Sequence, residues 1–292
     1  MILPNEPVFE KVETLAGYTL RDPITGQAMH SAIGPLPEAT QIYLNPSQLS
    51  HRLVAGSTPL ILWDVGMGIA ANSVAAFYQA SLIKNSRPLQ IHSFENAPEG
   101  LRHAISETEC FPHLKPWAPQ ILELLTHGST HLMEHQWKLH VGDFRSQVSQ
   151  APPAEVIFFD LYSPRISGAL WSVPVMELLR RHSPQATLVT YSAATPVRLA
   201  LLLAGWRVGR PSGSNPVTSL KNDSTLAIAS ELQSDWLENP LGVEWLEKFR
   251  HSSQARPYPS QQDPQGGSDP WSTLSFNQLE ALLLQHPQFQ SL

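Results

Sequence analysis

Between residues 60 and 95 the chain runs Leu60-Ile61-Leu62-Trp63-Asp64-Val65-Gly66-Met67-Gly68-Ile69-Ala70 and, after a helix-length interval, closes on Ile91-His92-Ser93-Phe94-Glu95. A short apolar run that ends in an acid and two glycines reads as a buried strand feeding a tight turn. Gly66 and Gly68 open dihedrals closed to other residues and leave no Cβ between backbone and ligand. The helix starting near Ile69 then aims unpaired N–H groups at whatever occupies the turn. The second strand delivers Glu95, followed by Asn96, where a carboxylate can accept hydrogen bonds from both hydroxyls of a ribose. Together these segments are half of a nucleotide-binding sheet, and they predict an adenosine-containing cofactor.

The turn also discriminates among such cofactors. Ser73 stands where a third glycine of the dinucleotide pattern would fall, and the interval from Gly68 to Glu95 exceeds the roughly 20 residues usual there. Asp64, just ahead of the turn, repels a pyrophosphate and suits a ligand with an ammonium group. That chemistry favours S-adenosyl-L-methionine over NAD, with Asp64, Gly66, Met67, Gly68, Glu95 and Asn96 as its contacts. Farther on, Val141-Gly142-Asp143-Phe144 places an acid after a strand, where it can accept from an adenine amino group, with Phe144 as an apolar wall. A last buried strand, Val156-Ile157-Phe158-Phe159, delivers Asp160 and Tyr162 to the mouth of the cleft, and Trp171 follows in the loop. Asp160 belongs to the cofactor set as well as to the catalytic pair Asp160 and Tyr162. Trp171 reads equally as a substrate wall or as a core anchor.

Strands fall near 60–65, 89–94, 137–141, 155–160, 186–191 and 206–209, with helices near 69–83, 97–109, 172–182 and 195–204 between them. Alternation of this kind predicts an α/β fold with a mostly parallel, doubly wound, Rossmann-like sheet and right-handed crossovers, with ligands beyond the carboxyl ends of the strands. Phe9 to Glu13 and Tyr18 to Asp22 read as a hairpin, and Pro119 to Leu125 as an extra helix. Residues 1–50 form an N-terminal extension, 51–230 the main domain, and 231–292 a C-terminal extension. That extension holds a Gln/Pro/Ser/Gly-rich linker over 251–270 and a terminal helix capped by Ser275.

Charge and cysteine usage narrow the functional classes. No apolar stretch approaches the 18 or more residues that span a bilayer, and Met1 to Glu13 lacks a basic region and an apolar signal core. No membrane association is expected, and the cytoplasm suits the chain. Cys110 is the only cysteine, so no intrachain disulfide and no cysteine-based metal cluster can form. The histidines between 103 and 135 follow no repeating spacing, and no metal is expected. Although the net charge is −6, residues 161–221 hold seven basic residues against the single acid Glu177. This basic stretch reads either as solvated helix faces or as a phosphate-facing surface that would meet RNA.

The segment Phe158-Phe159-Asp160-Leu161-Tyr162-Ser163-Pro164 through Trp171, followed by Thr190-Tyr191-Ser192, Val197-Arg198 and Ala204-Gly205-Trp206, resembles the methyltransferase domain of the bacterial tRNA 5-methylaminomethyl-2-thiouridine biosynthesis proteins. Met29-His30-Ser31, Gly34-Pro35 and Glu38-Ala39 are similar to the segment through which that family's substrate enters. The resemblance covers roughly residues 20 to 230. It implies a class I S-adenosyl-L-methionine-dependent methyltransferase with tRNA as partner through the basic surface around 165–221. Substrate contacts would come from His30, Ser31, Glu38, Trp171, Tyr191, Ser192 and Arg198. Leu161 stands where the family has glycine, and Ala70 where it has a fuller glycine turn; each adds bulk beside the pocket. The FAD-dependent oxidoreductase module fused in many members is not expected within 292 residues.

Methylating an aminomethyl group on a wobble uridine needs a neutral amine, whereas an alkylamine with a pKa of about 10 is protonated at neutral pH. Asp160 can accept a hydrogen bond from the amine, orient its lone pair and take its proton. Tyr162, Trp171 and Tyr191 can hold a flipped base. Two alternatives remain: another transferase on the same scaffold, either a small-molecule methyltransferase or an aminopropyltransferase, and a cofactor-binding scaffold without turnover.

Overall fold

A computed structural model describes residues 9–211, 224–229, 237–260 and 269–290. The chain divides into two compact units, Met1–Ala151 and Pro152–Leu292.

The first unit opens with an antiparallel hairpin, β1 (Glu10–Thr14) and β2 (Gly17–Arg21). Asp22 closes the following turn by accepting the N–H groups of Ile24 and Thr25 on its side chain, an Asx turn. Three short helical segments come next: α1 (Pro35–Glu38), a π-turn over Ala39–Leu44, and α2 (Leu49–Val54). The core of the unit is β3 (Leu60–Val65), α3 (Ala71–Leu82), β4 (Leu89–Glu95), α4 (Glu99–Ser106), α5 (Ala118–His127), β5 (Ser129–Leu132), β6 (His135–Val141) and α6 (Phe144–Gln147). Its strands lie in the order β3-β4-β6-β5. β3, β4 and β6 are parallel, in registers that set Asp64 beside Ser93 and Glu95 beside Val141, and β5 is an antiparallel edge. Leu60, Leu62, Trp63 and Val65 are fully buried, as expected of a strand covered on both faces.

The second unit contains β7 (Val156–Phe159), α7 (Pro164–Ser167), α8 (Val173–His182), β8 (Thr187–Thr190), α9 (Thr195–Leu203), β9 (Arg207–Arg210), β10 (Thr225–Ile228), β11 (Asn239–Pro240), α10 (Val243–Arg250) and α11 (Phe276–Gln285). The strand order is β11-β9-β10-β8-β7. β7 and β8 are parallel, whereas β10 is antiparallel to both β8 and β9, and β11 is antiparallel to β9. The expected α/β class is correct, but strand-helix alternation stops at β9. β10 pairs antiparallel with β8 and β9, where continued strand-helix alternation would have set a parallel strand.

Within 251–260 of the expected linker Ala255 and Pro257 are buried and Tyr258 lies against Gly168, while His251, Ser253, Gln254, Arg256 and Pro259 are exposed; 261–268 lie outside the described residues. Helix α11 starts on Ser275, which forms a capping box with Gln278. Leu279 and Leu283 are buried on one face of that helix. Gln288, just beyond it, accepts the N–H of Val208 at 2.7 Å and donates to the carbonyls of Val208 at 2.7 Å and Leu241 at 2.9 Å, so the tail completes the edge around β9. Among the described residues no helix is long and apolar enough to cross a membrane, and no group of three or more His, Cys, Asp or Glu side chains could hold a metal ion.

Candidate functional site

The glycine turn of the first unit is built as its sequence demands. Gly66, Gly68 and Ala70 all take positive φ, at 86°, 53° and 61°, a left-handed alternation that glycine adopts without cost and alanine does not. α3 begins directly behind the turn and has no side-chain cap at its start. Its first N–H groups therefore remain for an anionic group such as a ligand carboxylate.

Glu95, at the carboxyl end of β4, reaches the turn. One carboxylate oxygen accepts the N–H of Gly68 and the other the N–H of Ala97, each at 2.9 Å. Burial raises its pKa, while the hydrogen bonds from Ala97 and Gly68 act in the opposite direction. Exposed Asn96 extends the same strand end. These residues fit S-adenosyl-L-methionine: a carboxylate at the ribose corner, a backbone without Cβ at Gly68, and an uncapped helix start for the methionine carboxylate.

Asp64 sits deeper than its neighbours. It is fully enclosed, and its Oδ2 accepts hydrogen bonds from the hydroxyls of Ser73 and Ser93. Those hydroxyls meet each other at 2.8 Å, and Ser93 also accepts the indole N–H of Trp137 at 2.9 Å. One buried polar chain thus ties β3, α3, β4 and β6 together beneath the turn. Burial pushes the Asp64 carboxyl up to about 6 against the opposing hydrogen bonds. Ser73, which departs from the dinucleotide pattern, is the hydroxyl that this acid requires.

At the end of β6, Asp143 caps α6 by accepting the Arg145 N–H at 2.9 Å, and it pairs with the Arg145 guanidinium through Nε at 3.0 Å. That pairing, with the hydrogen bond it includes, holds the Asp143 carboxyl below the ordinary range. Phe144 beside it is buried, as is Met67 in the turn.

A second layer, holding the expected substrate residues His30, Ser31 and Glu38, lies against the turn, and the contacts of Met29 and His113 with the turn were not legible in the sequence. A Cβ added to Gly68 would stand 3.6 Å from the sulfur of Met29. His113 approaches the Ile69 carbonyl with its Nε2 at 3.4 Å, and burial, aided by His30, lowers its pKa to about 3, which keeps the ring neutral. Next to Met29, His30 shares a 2.8 Å hydrogen bond with Thr19, and burial lowers its pKa to about 4. The Ser31 N–H donates to the buried Glu38 carboxylate at 2.6 Å. The structure therefore gathers the 29–38 segment into one cluster whose leading residue touches the glycine turn.

In the second unit Asp160 and Tyr162 follow β7 and are partly exposed. The loop that carries them is clamped. The Tyr191 hydroxyl donates to the Leu161 carbonyl at 2.9 Å, and the Tyr162 carbonyl accepts the Trp171 indole N–H at 3.0 Å and the Ser167 hydroxyl at 2.7 Å. Trp171 is fully buried, edge-on to Phe159 and Tyr191 at ring distances of 4.9 and 5.9 Å. It braces the loop from within. Ser192 is buried and its carbonyl accepts from Thr225. Arg198 is completely enclosed, donating through Nε to Thr225 Oγ1 at 3.0 Å and through Nη2 to the Ser224 carbonyl at 3.1 Å. Of the basic stretch, Lys221 lies outside the described residues, and Arg198 faces the interior.

Residues 112–219 match the family model described as S-adenosyl-L-methionine-dependent methyltransferase. The tRNA 5-methylaminomethyl-2-thiouridine biosynthesis bifunctional protein MnmC of Paracidovorax citrulli is 27% identical over 250 residues, covering 80% of this chain and 37% of that protein. Its counterpart in Pseudomonas aeruginosa is 27% identical over 234 residues, covering 74% and 35%. The chain therefore spans about a third of the length of these curated relatives. Among solved structures, MnmC2 from Aquifex aeolicus superposes with a TM-score of 0.69 at 21% identity, covering 98% of this chain and 87% of that one. At that identity the superposition speaks for the fold.

Proposed function

We infer, from the S-adenosyl-L-methionine-dependent methyltransferase domain that this chain carries, that it methylates the aminomethyl nitrogen of a modified wobble uridine in tRNA. The observation that carries the reading is the turn with three left-handed residues whose Gly68 N–H is held by Glu95. The tRNA acceptor is supported by the curated relatives, whose name places them in tRNA 5-methylaminomethyl-2-thiouridine biosynthesis.

Glu95 would hold the ribose hydroxyls, the 66–70 turn and the start of α3 the methionine portion, and Asp143 and Phe144 the adenine. S-adenosyl-L-methionine supplies a methyl group on a sulfonium, an electrophile that needs no further activation. Asp160 accepts a hydrogen bond from the acceptor amine, fixes the direction of its lone pair and takes the proton that the amine sheds, directly or through water. Tyr162 walls the base, and Trp171 and Tyr191 hold the Asp160 loop in one conformation, so placement supplies most of the acceleration. His30, Ser31 and Glu38 contribute the substrate side of the first unit, and Arg198 acts by anchoring β10 beside β8.

The test is nucleoside analysis of tRNA incubated with the protein and methyl-labelled cofactor. Label in the wobble uridine with wild type, reduced at least 100-fold in Asp160→Ala while calorimetric cofactor binding persists, is the expected result. Label on a small molecule and none on tRNA would replace the acceptor, and absence of cofactor binding would overturn the enzyme reading.

A further inference from the structure

The second unit contains a cavity of about 410 Å³ at the end of its strands opposite to Asp160 and Tyr191. Pro184 precedes β8, Gly205 precedes β9, Arg207 opens it and Ala229 follows the antiparallel β10, so these lining residues converge on the amino ends of β8 and β9 and the carboxyl end of β10. A four-residue strand separates the two ends by about 13 Å. The cavity is therefore distinct from the acceptor loop.

Its chemistry is cationic and donor-rich. Arg180, Arg207 and His286 supply the polar groups, glycine, alanine and two prolines supply the rest, and no carboxylate lines it among the described residues. Among the described residues Arg180 donates through Nε alone, to the Ala229 carbonyl at 3.2 Å. Its guanidinium carbon and Nη1 lie 3.4 Å from where a Cβ would stand on Gly205, whose φ of 82° also favours glycine. The Nε of Arg207 is shielded from solvent and has no hydrogen-bond partner among the described residues, a condition that native proteins tolerate rarely and that a ligand relieves. Neither arginine forms an ion pair with a described residue.

The third group comes from the tail and is pinned there. Gln288 is locked to Val208 and Leu241 by three hydrogen bonds. Its own N–H donates to His286 Nδ1 at 3.2 Å. Two forked guanidiniums and an imidazole around a half-open cavity match the tetrahedral oxygens of a phosphate.

We propose that this cavity is a phosphate-binding site, taking either a backbone phosphate of RNA or the phosphate of a small phosphorylated molecule. The inference stands apart from the methyl-transfer reading, because cofactor binding is tested on first-unit residues and phosphate binding on these. Calorimetry of the full chain with inorganic phosphate should show millimolar binding that weakens about tenfold or more in Arg180→Gln and in Arg207→Gln. Arg207→Lys should recover part of the loss, and Arg181→Gln, an exposed neighbour outside the cavity, should leave binding unchanged. Arg180 is exposed, so its variant remains informative if Arg207→Gln fails to fold.

A titration with tRNA transcript at several salt concentrations separates the sources. A slope of log affinity against log salt that is smaller by about one per lost arginine assigns the site to RNA phosphates. An unchanged slope with phosphate binding still lost assigns it to a small phosphorylated molecule. No phosphate binding by wild type, or equal binding by folded Arg180→Gln, would overturn the proposal.

Discussion

The buried acid beneath the glycine turn makes stability depend on pH in a way that can be worked out beforehand. Burial holds the Asp64 carboxyl up at about 6, against a reference of 3.8, so the folded state binds this proton more tightly than the unfolded chain does. Ionisation therefore costs stability. The cost is absent below the unfolded pKa, grows as pH rises toward the folded pKa, and is complete above it. A displacement of about two units corresponds to about 3 kcal/mol. Asp64→Asn removes the titration and keeps an acceptor oxygen for Ser73 and Ser93. Any cost of the new amide is the same at every pH, so it cancels when the variant's stability difference at about pH 4 is subtracted from that at about pH 8, leaving about 2.5 kcal/mol in the variant's favour at the higher pH.

Urea unfolding of cofactor-free protein, followed by far-ultraviolet circular dichroism over that range, reads this directly. His92 and His113, held by burial near 4 and 3, act in the opposite direction. The stability they favour is present above about pH 6.5 and is lost as pH falls toward their folded values. Wild type should therefore weaken in acid overall, and because both proteins contain these histidines, their effect also cancels. Parallel stability curves for wild type and Asp64→Asn would refute the reasoning, for they would show that folding does not raise this carboxyl. If Asp64 in addition pairs with the cofactor's ammonium, saturating S-adenosyl-L-methionine should stabilise wild type more above pH 6 than below it, and the variant equally at both.

Glu95→Gln replaces one acceptor oxygen with a donor that faces the N–H of Gly68 or of Ala97, and it removes the charge from the ribose corner. At about 1.5–3 kcal/mol for a hydrogen bond to a charged group, cofactor affinity should fall about 10- to 100-fold by calorimetry. Wild-type affinity would remove Glu95 from the site. Tyr191→Phe deletes the hydroxyl that holds the Leu161 carbonyl at 2.9 Å and should cost about 1 kcal/mol, seen as a melting temperature lower by about 2–4 °C. If that loop positions Asp160, methyl transfer should fall further than the small stability change accounts for, with cofactor affinity unchanged.

What the sequence disclosed follows the range of each signal. The 60–65 strand, the turn and the position of Glu95 were legible because apolar runs, glycine pairs and strand-end acids are local, whereas the hydrogen bond from the Gly68 N–H to Glu95 was not. The helices over residues 35–54 were not legible: at four to six residues each they are too short to show a 3.6-residue period. β10 was missed because Thr225–Ile228 is only four residues long, and its antiparallel insertion between β8 and β9 is a property of the sheet.

The same distinction governs the sites. Met29 and His113 lie against the glycine turn from distant parts of the chain, and nothing near either residue marks it as a neighbour of Gly68. Asp64 shows the opposite case, a residue visible in the sequence whose surroundings were not. Its position beside the turn pointed to a cationic ligand, while its side chain is bound to two serines in the interior. An enclosed carboxylate with serine partners stabilises the turn by holding the strands and helix that form it, β3, α3 and β4. Arg180 and Arg207 were visible as part of a basic stretch, but their convergence with His286 depends on Gln288 fixing the tail to β9. A truncation before Gln288 should therefore abolish phosphate binding with both arginines still in place, which charge composition alone would not predict.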